Sequence, residues 1–303
     1  MKHSIRAILL SLLFSSIVTA QITLSYQTKA GDVYSTTLSM TQNIKQSMMG
    51  TDQIAENEQI ISVDFKTNDS SDGLFTSDLL YKRVIINQNS PMGTTGFDSQ
   101  TSGDDIPPAL RGYASLVDKG YQISFDKTGS VKSVSGVETM ITSMIDELEL
   151  PTEAAKTRLK ANLASQFNDE TMLSQIQNGF IIYPKGKIDT GDTWMEDQSV
   201  TSPYPLSIST TYTLNDYDKD FAYISVSSTI STGENSNMSV EGAEIEFDLE
   251  GTQTGNIKVD RKTGFILESN LEQNTSGLMK VIAPQQMEIP MELKSIVSIK
   301  GAI

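Results

Sequence analysis

The chain has 303 residues, 38 acidic against 23 basic for a net charge of −15, no cysteine, and a single histidine, His3. So acidic a surface repels nucleic-acid phosphates and anionic lipid. Beyond residue 3 there is neither thiol nor imidazole, so serine–histidine and cysteine–histidine nucleophiles, histidine zinc sites and histidine-ligated haem have no residues to build on. No cofactor is implied, and stability rests on core burial and hydrogen bonding rather than on disulfides.

The first 20 residues read as a secretory signal. Lys2 and Arg6 precede an apolar run from Ala7 to Val18, and Val18-Thr19-Ala20 offers residues a signal peptidase accepts. The run is about 12 residues, short of the roughly 20 that cross a bilayer. No later stretch approaches that length, so no transmembrane segment is expected. No cysteine follows the cleavage point to carry a lipid anchor. Residues 21–303 are therefore expected as one exported β-rich domain, periplasmic or extracellular. Loss of the leader removes His3 and makes the chain more acidic by two.

From residue 21 to 135 the sequence reads as strand. Leu38, Met40 and Ile44 share one face of a long strand from Val33, and Ile61, Val63 and Phe65 belong to its hairpin partner. Met48-Met49 falls at the tip. Leu74 to Asn87 is a further strand, and a short helix is expected from Pro108 to Asp118. The block 136–180 changes period. Val137, Met140, Ile141, Met144, Ile145 and Leu148 recur on one helical face, with Ser135 and Glu138 at capping-box spacing. Pro151 stops that helix and opens a second, carrying Leu159, Leu163 and Phe167. Met172 and Ile176 mark a third, ended by Asn178-Gly179. The section 181–303 returns to period two, most cleanly where Ala243, Ile245, Phe247 and Leu249 alternate with acids, and again at Met287, Ile289, Met291 and Leu293.

The two strand sections echo each other. Gly31-Asp32-Val33-Tyr34 matches Gly191-Asp192-Thr193-Trp194, and Asp126-Lys127-Thr128-Gly129 matches Asp260-Arg261-Lys262-Thr263-Gly264. The matching order suggests a duplicated plan. The expected fold class is α+β: a mainly antiparallel curved sheet or half-barrel packed on two or three central amphipathic helices.

On Ser77 to Val84, Gly96-Phe97-Asp98-Ser99, and Pro184-Lys185 leading to Gly191-Asp192-Thr193-Trp194, the chain resembles a family of exported bacterial proteins catalogued only as a domain of unknown function. The resemblance implies export and fold, and no activity. In architecture the expected sheet on methionine-bearing helices is similar to periplasmic lipoprotein and lipid carriers, whose half-barrel encloses acyl chains.

No single motif marks a catalytic site. Asp216, Asp218 and Asp220 have the opening spacing of a calcium loop, but Phe221 and Ser227 stand where glycine and glutamate are needed. Glu244, Glu246, Asp248 and Glu250 read as a solvent-facing ladder that discourages edge pairing. Trp194 reads as a core anchor. The leading expectation is a non-enzymatic exported binding protein with a lipid-like or apolar ligand between sheet and helices. Its site would be Val137, Met140, Ile141, Met144, Ile145, Leu148, Leu159 and Leu163. The alternative is a structural or interaction protein of the envelope, with a protein partner and a closed core; a carboxylate-dependent hydrolase comes third. An apolar cavity of about 300 Å³ or more separates the first two.

Overall fold

The structure, a computed structural model, describes residues 21–303 apart from 49, 104, 108–109, 149, 151, 201–204, 234–236, 241–242 and 284–285. The expected signal, residues 1–20, lies outside the described residues, as do Met49, Pro108 and Pro151.

The first section holds β1 (Val33–Met48), β2 (Thr51–Ser71), β3 (Leu74–Ser90), β4 (Gly93–Asp98), a single turn α1 (Arg111–Ala114), β5 (Gly120–Asp126) and β6 (Val131–Ser135). Three helices follow, α2 (Val137–Glu147), α3 (Glu153–Gln166) and α4 (Asp169–Gln177). The second section holds β7 (Thr193–Val200), β8 (Leu206–Tyr217), β9 (Phe221–Thr232), β10 (Asn237–Val240), β11 (Ala243–Asp260), β12 (Ile266–Ala283) and β13 (Met287–Ala302). Among the described residues these strands form one 13-stranded sheet, ordered β6-β5-β3-β2-β1-β13-β12-β11-β9-β8-β7, with β4 beside β3 and β10 beside β11. The ladders are antiparallel and the hairpins local, which is what period-two patterning with one apolar face produces.

The helices correct the expected architecture. Strand takes 61% of the described residues and helix 14%, so there is no helical layer for the sheet to pack on. Only α2 buries a full apolar stripe; α3 turns no more than Leu159 and Leu163 toward the core, both partly buried. Helix α2 meets the sheet at β5, whereas α4 touches both β6 and β7, the two edge strands. The sheet therefore curls until its edges flank one short helix. Start signals differ too. The Ser135–Glu138 capping box does not form: Gly136 is the cap, in the left-handed region, and the Val137 N–H donates to Asp169 Oδ1 of α4 at 3.2 Å. The helix expected over Pro108–Asp118 is reduced to α1.

The echoed motifs are the same structure twice. In both, the glycine is left-handed (Gly31 at φ 92°, Gly191 at φ 93°). Lys29 N–H bonds Asp32, and Asp189 N–H bonds Asp192. Gly31 N–H reaches Thr67 O of β2, as Gly191 N–H reaches Leu214 O of β8. In the late turns Asp126 Oδ1 accepts from the Thr128 backbone and hydroxyl, and Asp260 Oδ1 does the same for Thr263. Two meanders of one plan thus lie side by side, and β13 joins them between β1 and β12.

The core lies on the inner face at one end of the curled sheet. Its centre is Tyr26, on an N-terminal strap that runs past both late turns: Tyr26 N–H bonds Lys127 O, and Gln27 N–H bonds Thr263 O. The Tyr26 ring packs on Phe125, Phe180, Tyr183 and Phe265 at centroid distances of 5.2–5.7 Å. A Cβ on Gly129 would stand 2.3 Å from Ile181 O and 2.5 Å from the Tyr26 ring, and one on Gly264 would stand 2.3 Å from Ser25 O. Only glycine lets these turns close on the strap.

Candidate functional site

An apolar chamber of about 230 Å³ remains between this aromatic core and α4. Its floor is Tyr26, Phe180 and Phe265; its walls are Tyr34, Thr36 and Leu38 of β1 and Ile61, Val63 and Phe65 of β2. Leu79 and Tyr81 of β3, Tyr121 of β5 and Ile299 of β13 continue the wall, and Gln175, Ile176 and Gly179 close it from the side of α4. Register explains why these residues meet. Tyr34 faces Phe65, Thr36 faces Val63, Leu38 faces Ile61 and also Ile299, so alternate residues of neighbouring strands share the inner face. Among the described residues no charged side chain lines the chamber. At 36% exposure, Leu38 is the most open part of the β1 wall.

The polar atoms around the chamber are mostly committed. Tyr34 Oη donates to Ile266 O at 2.6 Å, Tyr183 Oη donates to Gly264 O at 2.8 Å, and Tyr26 Oη accepts from Ile181 N–H at 3.2 Å. Burial pushes the Tyr34 phenol up to about 12 and raises those of Tyr26, Tyr81 and Tyr121, so all four stay protonated at neutral pH. The Tyr121 hydroxyl is buried against that of Tyr81, its ring 6.4 Å from the Tyr81 ring, and the two hydroxyls interact with each other.

Helix α4 is held at both ends. Asp169 accepts the Val137 N–H, while Gln177 accepts from Val131 N–H at 2.8 Å and donates to Gly129 O at 3.2 Å. Gln177 thereby occupies the free edge of β6 that would otherwise be open to pairing.

Further up the sheet the inner face becomes polar. Four residues along β13 from Ile299, Ser295 faces Gln273, which faces Gln253, then Ser228, Thr210 and Glu196, one polar row across six strands. Thr210 and Ser228 share a hydrogen bond of 2.9 Å. Burial raises the Glu196 carboxyl, against hydrogen bonds from Gln198, Ile182 N–H and Tyr212. Beyond this row Leu206, Ile230, Phe247 and Leu249 form a second packed cluster. A larger concavity of about 750 Å³ is an open trough over outward residues such as Asn256, Lys258, Glu268 and Asn270.

The residues singled out on the helices take another place. Val137, Met140, Ile141, Met144 and Ile145 are buried in the main core, and Leu159 and Leu163 pack against it, partly buried. Leu148 is half-buried at the end of α2. The sequence-predicted set and the residues lining the chamber do not overlap. The chamber walls come instead from strands whose alternation is plain in sequence, but whose mutual placement is not. Asp218 closes a turn by accepting the Asp220 and Phe221 N–H groups. Glu246 and Asp248 face Lys280 on the outside. Trp194 stacks on Tyr212 at 5.4 Å. No group of acids able to hold a metal ion occurs among the described residues.

No curated protein matches the sequence. The fold is similar to that of lipovitellin, in a structure titled for its lipid–protein interactions, at 12% identity and a TM-score of 0.52. That match covers 91% of this chain and 26% of the other, so the chain spans about a quarter of lipovitellin's length. An outer-membrane channel of Pseudomonas putida F1 aligns over 91% of this chain and 97% of its own at 8% identity, with a TM-score of 0.27. The profile of a family of unknown function, DUF6263, matches residues 72–266. That span holds all three motifs quoted above, among them the clasp in which Arg83 binds both Asp98 oxygens at 3.1 and 2.6 Å while Ser99 accepts the Val84 N–H. Covering more than half of the chain, the match establishes that the protein belongs to the DUF6263 family.

Proposed function

We propose that this protein is a non-enzymatic exported binding protein that holds a small apolar ligand inside its curled sheet. The observation that carries the reading is the chamber itself: about 230 Å³ of uncharged, aromatic and aliphatic lining under α4. It falls short of the about 300 Å³ set above to separate a binding protein from a closed core, so the reading is confined to a compact ligand or the end of one chain. The likeness to lipovitellin, a protein described by its lipid contacts, supports a sheet interior used for apolar cargo. The leader-like residues 1–20 support a place outside the cytoplasm.

Native mass spectrometry of the protein taken from its own envelope tests the reading. An apolar adduct is expected on the wild type and is expected to be lost in Val63→Phe, which fills the chamber while the far-ultraviolet circular dichroism stays unchanged. A wild type that emerges without any adduct, and that takes up no added short-chain aliphatic, refutes it.

A further inference from the structure

We infer that the chamber and the polar row above it form one site, which takes a single-chain amphiphile with an uncharged, hydroxyl-bearing head. The chain end lies in the chamber and the head on the row. The inference rests on the proposed binding role and adds the chemistry of the ligand.

The row extends beyond Ser295 in the other direction as well. Ser295 faces Gln42 of β1, Gln42 faces Asn57 of β2, and Asn57 faces Gln88 of β3. One polar side chain per strand thus crosses nine neighbouring strands of the inner face. Gln88, Asn57, Gln42, Gln273 and Gln253 are carboxamides, and all are half-buried. A carboxamide has two N–H donors and an acceptor oxygen. Gln273 gives one donor to Thr275, and Gln253 accepts from Ser228, so both keep further capacity. A hydroxyl donates and accepts, and therefore matches either end of such a group. The row's one ionisable member is an acid, Glu196, engaged by Gln198, Ile182 N–H and Tyr212. Lys45 and Lys294 stand at odd offsets from Gln42 and Ser295, on the opposite face. A carboxylate or phosphate head on the row would lose hydration and meet no cation.

Across β1, β13 and β12 the step between chamber and row is apolar. Leu38, at 36% exposure, forms the chamber's open rim, and Met40, Val297 and Leu271 beyond it are half-buried. From Leu38 to Gln42 the strand advances about 13 Å, at roughly 3.3 Å per residue. An extended chain advances about 1.25 Å per carbon, from bonds of about 1.52 Å at an angle near 111°, so about ten carbons span the step. The chamber of about 230 Å³ takes roughly seven or eight further groups at about 30 Å³ each, the end of one chain.

Isothermal titration calorimetry at pH 8 with monomeric 1-monolauroylglycerol, methyl laurate and laurate tests this. The three share one chain and differ in the head. The wild type should bind monolauroylglycerol at least tenfold more tightly than either of the others. The double variant Gln42→Leu/Gln273→Leu should bind it about fivefold more weakly, the change expected for one hydrogen bond. Methyl laurate should bind that variant as it binds the wild type, which also reports an intact fold. Val63→Phe, which fills the chamber, should weaken all three. Methyl laurate bound by the wild type as tightly as monolauroylglycerol overturns the role of the row, and so does an equal loss of both in the double variant. Laurate bound as tightly as monolauroylglycerol overturns the uncharged head. Monolauroylglycerol bound by Val63→Phe as by the wild type overturns the joining of row and chamber. If none of the three binds the wild type, it is the binding role itself that fails.

Discussion

Gly264→Ala tests whether the N-terminal strap is clamped by the two late turns. Gly264 has φ 77°, where an alanine is strained by roughly 1–2 kcal/mol. The new Cβ would lie 2.3 Å from Ser25 O, 2.7 Å from Ser25 C and 2.9 Å from Tyr26 Cα. All three are backbone atoms of the strap and cannot rotate away, so overpacking adds roughly 1–3 kcal/mol. Moving the strap also endangers the bond from Gln27 N–H to Thr263 O at 2.8 Å, worth about 1 kcal/mol. The expected loss is therefore roughly 3–6 kcal/mol. Gly191→Ala is the matched control: φ is 93° but nothing stands within 4 Å of the added Cβ, so only the strain of roughly 1–2 kcal/mol applies. Equilibrium urea unfolding of both variants reads the difference. Equal losses in the two would refute the clamp and leave Tyr26 held by ring packing alone.

Three further outcomes follow from the same geometry. Partial burial pushes the Asp126 carboxyl up, but Thr128, Lys132 and the Ser130 N–H outweigh it and hold it at about 2, below the ordinary 3.8. Its contribution, up to about 2 kcal/mol, is complete above pH 3.8 and lost as pH falls toward 2; Asp126→Asn should flatten that part of an acid titration followed by near-ultraviolet circular dichroism. Glu196 has the opposite sign: burial raises its carboxyl above 4.5, so the folded state is favoured below that pH and progressively penalised as pH rises. Glu196→Gln should then gain stability over the wild type at pH 7 and lose that gain at pH 4, and a pH-independent difference in urea midpoints would contradict it. Gln177→Ala unlatches α4 from β6, so hydrogen exchange at Val131 should speed up severalfold while Ile123 in the core ladder stays protected; unchanged protection at Val131 would show that the latch does not hold the edge.

The local elements were legible because local physics sets them. Phe247 and Leu249 alternate with Asp248 and Glu250, and the structure puts the first pair inside and the second pair in solvent. The helical spacing of Val137, Met140, Ile141, Met144 and Ile145 predicts one buried face, and that face is buried. Even the duplicated turns could be read, since Asp and Gly at fixed offsets dictate a particular bend. What the helix pattern could not say is how much sheet its apolar face would cover. A stripe of five residues needs a surface only a few side chains wide, and α2 finds it at β5 beside its neighbour helices. The expectation of a central helical layer treated amphipathicity as architecture. In the structure the helices meet the sheet mainly at β5, β6 and β7, and the strap crosses the inner face beside the two late turns.

The chamber escaped sequence reasoning for a different reason. Its residues lie between positions 26 and 299, and no two walls share a helical or turn signal. Leu38, Ile61 and Ile299 meet only because β13, the last strand, inserts between β1 and β12. The polar row from Ser295 to Glu196 is spread in the same way, one residue per strand, so each member reads alone as an ordinary strand serine, threonine, glutamine or glutamate. Strand alternation names which residues point inward, and order and register then decide what those residues enclose. A site assembled by register leaves its trace in sequence as mild exceptions: tyrosines where an aliphatic would fill the core as well. Tyr121 is such an exception. Its strand neighbours Ile123 and Phe125 are fully buried and carry no polar atom beyond their backbone, whereas Tyr121 brings into the same face a hydroxyl that meets only the Tyr81 hydroxyl of β3, so that one polar contact ties two strands together inside an apolar wall.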